Sequence, residues 1–250
     1  MAGHSKFKNI MYRKGAQDKK RAKIFTKLIR EITVSAKEGG IAPESNPRLR
    51  SAIMAARAEN MPGDNIERAL KKAMGGGDDT DYQEVRYEGY GPGGIAIIVE
   101  GLTDNRNRSA ADVRSTFNKY GGSLGETNSV SFQFKRQGVI VYPKNVASDE
   151  AMFEEALQGG ADDVVSDEDV HTIYCDMTRL HETQELISQK FGEPLSSKIS
   201  WEAQNTVPVD LEGAKSLLKL LDALEDLDDV QNVFSNEDMD EATQQALEEA

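Results

Sequence analysis

Three observations predict an α+β chain of three domains. Apolar residues recur at helical spacing through the first 74 residues, a run of glycines and aspartates interrupts them, and beyond it strand-like alternation and helical stripes take turns. The expected domains are 1–77, a basic helical bundle; 78–136 with 205–236, a discontinuous middle α/β domain; and 137–204, a ferredoxin-like βαββαβ domain inserted into the middle one. Residues 237–250 form an acidic tail. At 250 residues, 38% of them hydrophobic, the chain can fill two or three small cores.

The stretch from Asp18 to Lys37 reads as a helix, with Phe25, Leu28, Ile29, Ile32 and Ala36 on one side. Lys20, Lys23, Lys27 and Arg30 fall on the opposite side, so the basic stripe is expected to face away from the core. Gly39 and Gly40 end the helix. Asn46-Pro47 opens a second one, a capping side chain followed by a residue that needs no N–H at the first position, with Leu49, Ala52, Ile53 and Ala56 as its buried stripe. A third starts between Pro62 and Asp64, with Ile66, Ala69, Leu70, Ala73 and Met74 at helical spacing along one side. Gly75 to Asp81 is a flexible polar joint.

Beyond the joint, Glu84–Tyr90 and Ile95–Leu102 read as strands around a glycine-rich turn, Arg106–Tyr120 as a helix and Val130–Phe134 as a strand. The turn Gly89 to Gly94 leads into a strand, whereas a dinucleotide-binding loop must open a helix; that function is excluded. Strand 139–142, helix 150–157, strands 164–165 and 170–175, helix 180–191 and strand 198–201 give the βαββαβ order. Asp210–Leu227 is a helix with Ala214, Leu217, Leu218, Leu221 and Leu224 on its apolar face, and Val230–Phe234 is a strand. A lone helix and strand cannot bury their own apolar faces, so they are expected to complete the middle sheet. The tail from Ser235 is acidic and expected to fray.

The net charge of −13 is divided unevenly. Residues 1–30 hold ten Lys or Arg against one acid, a net +9, while residues 79–250 carry −22. The unit from Gly138 to Gln204 is at −10. A cationic end on an acidic body is the footprint of a polyanion partner, because each cation set near a phosphate releases condensed counterions. Lys6, Lys8, Arg13 and Lys14 suit an arm that follows a phosphate backbone, and Lys19, Lys20, Lys23, Lys27 and Arg30 a helix face that meets it. Arg48, Arg50 and Arg57 serve either the same surface or the apolar rim of the bundle. In the run Asp104-Asn105-Arg106-Asn107-Arg108, Asp104 and Asn105 are placed to cap a helix; Arg106 and Arg108 fit either an anion contact or an interdomain salt bridge.

Other classes are excluded by residue type. One cysteine, Cys175, and three histidines leave no thiolate zinc site, no metal constellation and no nucleophile spaced with a base, so neither catalysis nor a cofactor is expected. The longest aliphatic run, Ile95–Val99, is far short of a membrane span of ~20 residues. The N-terminus has no apolar signal core, which makes the cytoplasm the expected compartment. Only Phe7, Tyr12 and Phe25 are aromatic in the basic third, too few for a base-stacking platform; duplex or structured backbone is the expected target.

The runs Gly3 to Phe7 (GHSKF), Asp18 to Ile32 (DKKRAKIFTKLIREI), Asn46 to Arg50 (NPRLR), Asn60 to Pro62 (NMP), Tyr87 to Gly91 (YEGYG), Leu102 to Ser109 (LTDNRNRS) and Gly121 to Gly125 (GGSLG) together resemble the YebC/PmpR family. The resemblance covers nearly the whole chain. It implies a crescent-like three-domain protein, a transcriptional regulator acting on DNA through the N-terminal domain. Because the family includes a mitochondrial translational activator, it equally implies a ribosome-associated factor on ribosomal RNA. Phe7 stands where the family commonly has Trp, Ser109 where Thr is usual, and Asn128 where Gly often precedes Ser-Val; the last puts one local turn in question.

Overall fold

The computed structural model describes residues 17–75 and 81–248. Its helices in chain order are α1 (Gln17–Gly39), α2 (Pro47–Ala58), α3 (Gly63–Ala73), α4 (Arg106–Lys119), α5 (Asp149–Gln158), α6 (Leu180–Phe191), α7 (Leu211–Glu225) and α8 (Glu241–Glu248). The strands are β1 (Gln83–Tyr90), β2 (Ala96–Thr103), β3 (Ser123–Leu124), β4 (Phe134–Pro143), β5 (Asp163–Ser166), β6 (Val170–Cys175), β7 (Ser196–Ala203), β8 (Val207–Pro208), β9 (Val230–Ser235) and β10 (Glu237–Asp238). Mixed helices and antiparallel strands make the class α+β. By compactness the described chain divides into two units: Ile32–Met74 groups with Arg136–Trp201, while the start of α1 through Glu31 groups with 75–135 and the chain from Glu202 onward. The first division falls inside α1.

In the first unit, α1 is buried on all sides from Ile32 to Ala36. One side chain closes this helix and opens the next. Asn46 Nδ2 donates to Ser35 O (2.7 Å) and Gly40 O (2.8 Å), and Asn46 Oδ1 accepts from Leu49 N (3.0 Å) at the start of α2. A Cβ on Gly39 would lie 2.6 Å from Asn46 Nδ2, so only glycine fits there. The stripe of α2 is the expected one: Leu49, Ala52, Ile53 and Ala56 are buried. The same unit holds a sheet of order β5-β6-β4-β7 with α5 and α6 between its strands, the βαββαβ sequence of elements. Ile140, Tyr142, Met152, Ala156, Ile173 and Ile187 form its core.

In the second unit the sheet order is β3-β1-β2-β9. Strands β1 and β2 pair from Gln83 with Thr103 to Tyr90 with Ala96 around a turn in which Gly93 and Gly94 take φ of +74° and +77°. Strand β9 returns from the far end of the sequence to pair with β2, Ile97 against Ser235 and Val99 against Val233. Ile95, Ile97 and Val99, Val113 and Phe117 from α4, and Leu217, Leu220, Leu221 and Leu224 from α7 share one core. The YEGYG and GGSLG runs meet where β1 pairs with β3: a Cβ on Gly89 would lie 2.5 Å from Ser123 O, and one on Gly122 2.7 Å from Tyr90 O.

Two expectations are corrected. Residues 130–133 are not a strand; they turn, because Val130 N and Ser131 N both donate to Glu88 Oε2 at 2.9 Å, and β4 begins only at Phe134. The tail does not fray through residue 248. Strand β10 pairs with β8, Met239 enters the core, and α8 is capped by Asp240 Oδ1 accepting from Thr243 N at 2.8 Å. Asp240 and Glu241 are exposed while Met239, Thr243 and Gln244 are buried, an amphipathic arrangement that the charge count concealed. Gly76–Thr80, most of the expected joint, lie outside the described residues. Among the described residues no helix is long and apolar enough to cross a membrane.

Candidate nucleic-acid interface

The cationic residues fall into three groups. Lys6, Lys8, Arg13 and Lys14, and the side chains of Lys19 and Lys20, lie outside the described residues. The second group, Lys23, Lys27 and Arg30, occupies one side of α1 at spacings of four and three. These do not point freely to solvent as expected. Lys23 Nζ donates to Asp226 O (2.9 Å) with Asp226 Oδ1 at 3.4 Å, and Lys27 Nζ donates to Glu225 O (2.6 Å). Arg30 Nη1 donates to Leu102 O (2.7 Å), Asp228 O (2.9 Å) and Asp229 Oδ1 (3.0 Å), and its guanidinium lies 4.8 Å from the centre of the Tyr82 ring. The physical reason is the end of α7. The last carbonyls of a helix lack partners within it and carry the negative end of its dipole, and here acids at 225, 226, 228 and 229 add to that field. Burial pushes the Lys27 ammonium below its ordinary pKa, against the opposing pull of Glu225 and Asp226.

Asp229 is the centre of this seat. Its Oδ2 accepts from Ser109 Oγ (2.6 Å), Arg108 Nη2 (2.8 Å) and Thr103 Oγ1 (2.9 Å), while Oδ1 takes Arg30. Burial alone would raise its pKa; the hydrogen bonds from Ser109, Arg108 and Thr103 outweigh burial and hold the carboxyl below the usual aspartate value. The DNRNR run thereby acquires its roles. Asn105 Oδ1 caps α4 by accepting from Arg108 N (3.1 Å), and Arg108 joins Asp104 (2.7 Å) to Asp229. Arg108 is therefore an internal clamp, whereas Arg106 is exposed at the first turn of α4. Ser109 supplies the shortest of the hydrogen bonds that Asp229 accepts.

The arginines of α2 diverge. Arg48 pairs with Glu38 at 2.7 Å. Arg50 donates to Pro43 O (3.0 Å) and Glu44 O (2.8 Å), and its Nη1 sits 2.7 Å from His181 Nε2 and 3.3 Å from Glu185 Oε1 on α6. Arg50 thus works inside the first unit. Arg57 is exposed at the end of α2.

Three features escaped the sequence reading. The first is Asp229 itself, one acid among many. The second is the outward side of α4, where an open depression of about 670 Å³ is lined by Ala111, Arg114, Ser115, Asn118 and Lys119. The third is a buried polar group: His171, fully buried, has Nδ1 2.6 Å from Ser166 Oγ and Nε2 within 3.2 Å of the carbonyls of Lys144 and Ala147. Two carbonyls at Nε2 make that nitrogen a donor, Nδ1 shares a hydrogen bond with Ser166 Oγ, and the ring ties the 144–147 turn to β5 and β6. At the questioned turn, Asn128 takes φ of +68°, a conformation in which glycine is most at ease and asparagine tolerated. Its Oδ1 accepts from Arg86 at 3.0 Å, a contact glycine would not make.

Residues 5–76 match the model of the TACO1/YebC protein N-terminal domain, and residues 82–237 that of the TACO1/YebC second and third domain. The chain belongs to the TACO1/YebC family. It is also similar to the crystal structure of a conserved hypothetical protein, Aq1575, from Aquifex aeolicus. That likeness has 46% identity and a TM-score of 0.81, and covers 91% of this chain and 93% of the other. The family boundary between 76 and 82 coincides with the glycine-aspartate joint.

Proposed function

We propose that this TACO1/YebC chain is a nucleic-acid-binding regulatory protein, a transcriptional regulator that contacts DNA through its basic N-terminal segment. The observation that carries the reading is the charge division, +9 over the first 30 residues against −22 beyond residue 78. The family model over 82–237 bears a transcription-regulation name, which supports the same class. Since Lys23, Lys27, Arg30 and Arg50 are engaged within the protein, the contact is assigned to Lys6, Lys8, Arg13, Lys14, Lys19 and Lys20, with Arg57 as a flanking cation. Binding is oriented: the cationic end leads toward phosphate, and the net negative charge of the remainder disfavours the reverse approach. The protein acts in the cytoplasm, as three domains, without cofactor or catalysis.

A second reading, a translation factor on ribosomal RNA, is favoured by the same division. On a ribosome the acidic body can in addition face basic proteins, which uses the charge division more fully than DNA binding does. Co-sedimentation with ribosomes, set against binding to promoter DNA at physiological salt, decides between them. Replacing Lys6, Lys8, Arg13 and Lys14 by Ala is expected to flatten the salt dependence of binding by ~0.9 per lost phosphate contact. Unchanged affinity and slope would remove the N-terminal segment from the function.

A further inference from the structure

The second unit carries another cationic surface, on the side of α4 away from the Arg108–Asp229 clamp. Around α4, Ser109, Val113 and Phe117 turn inward to the core. The opposite side presents Asn107, Ala111, Arg114, Ser115, Asn118 and Lys119, all exposed. Among the described residues Arg114 and Arg106 have no ion-pair partner, and Lys119 makes only a ring contact, 5.3 Å from the centre of Tyr120. Ala111 and Ser115, one turn apart, keep the middle of this side low. Arg114 and Asn118 stand along one flank and Lys119 along the other, forming the open depression described above. With Arg108 engaged by Asp104 and Asp229, α4 still presents Arg106, Arg114 and Lys119 against Asp112, a local excess within a part of the chain that is otherwise strongly acidic.

We propose that this side of α4 is a second nucleic-acid contact, taking the phosphodiester backbone of a duplex along the Ala111–Ser115 floor. Arg114 and Lys119 neutralise phosphates, and Ser115 and Asn118 donate to phosphate or sugar oxygens. Long cationic side chains flanking small residues let a backbone approach the helix closely while keeping two charges within reach of it. Such contacts position a duplex without reading its bases. The proposal rests on the nucleic-acid reading given above and adds a surface that the N-terminal segment does not supply.

The test is anisotropy of labelled duplex DNA and duplex RNA of one sequence, titrated with the full-length chain over a range of salt. The variants are Arg114→Ala with Lys119→Ala, and Arg114→Glu, with Lys215→Ala, whose lysine pairs with Glu212 on α7, as control. The double variant is expected to bind more weakly and to show a slope of log Kobs on log salt shallower by about 1.8 on DNA, two contacts at ~0.9 each. Arg114→Glu is expected to weaken binding further, and the control to match the wild type. The duplex that shows the larger slope change is the preferred substrate. Wild-type binding with unchanged affinity and slope in both α4 variants overturns this proposal and leaves the nucleic-acid reading standing. A wild-type chain that binds neither duplex overturns both.

Discussion

On α1, Lys23, Lys27 and Arg30 reach the carbonyl end of α7, while on α4 Arg114 and Lys119 meet solvent. The two helices have similar cationic composition, and a helical projection puts each set opposite its apolar stripe. The difference arises from what lies across from them. α1 faces a helix terminus with unpaired carbonyls and four acids, and its cations serve as the missing donors. Among the described residues, those lining the depression on the outer side of α4 include no acid. A basic stripe is thus a surface for a partner only where the protein has no negative group of its own to satisfy, and charge count alone cannot tell the two cases apart.

The sharpest way to break the comparison is Asp229→Ala, which leaves Arg30 and Arg108 facing a nearly buried void. It is expected to cost about 3–4 kcal/mol, read as a lower urea midpoint at unchanged m-value. A loss under 1 kcal/mol would mean that the seat is idle. The same carboxyl gives a pH signature. Held below its ordinary value of 3.8, it stabilises the fold fully at neutral pH and loses that contribution as pH falls from about 4 through its lowered folded value. The Asp229→Ala variant should therefore lose less stability than the wild type over that acid range.

Arg30→Met is expected to cost about 2 kcal/mol, since it removes charged hydrogen bonds from a side chain only 12% exposed while keeping much of its length. Lys27→Met should change stability by less than about 1 kcal/mol, because removing a charge disfavoured by burial offsets the lost bond to Glu225. Its alkaline behaviour is more telling. With its folded pKa lowered, the wild type gains stability as pH rises from that value towards 10.5, where the unfolded chain still holds the proton; the Met variant has no such gain. Arg114→Ala, on the free side of α4, should leave the thermal midpoint within the effect of about 0.5 kcal/mol. A large loss there would erase the contrast between the helices.

Much of the fold was legible because it rests on local chemistry. The Asn46-Pro47 start, the leucines of α7, the alternation of helices and strands from 139 to 201 and the return of β9 all follow from spacing and from the need to bury an apolar face. The turn at 130–133 was not legible: Val130-Ser131-Phe132 has strand-like residues, and only the Glu88 carboxylate, some forty residues earlier, bends it. The candidate site was harder still. A projection fixes the angle of Lys23, Lys27 and Arg30 to their apolar stripe, but not what packs on the other side, and Glu225 to Asp229 lie about two hundred residues away. The tail was misread because six acids mask the few inward residues that anchor it.

Strand β9 sets an order on the birth of this protein. The sheet that contains β1 and β2 lacks one of its four strands until residue 235 has been synthesised, whereas every strand of the other sheet has been made by residue 203. During elongation β2 must wait with one edge unpaired while the later-encoded βαββαβ elements are already available to assemble. A nascent chain halted before Val230 would therefore display an open edge that the finished protein conceals.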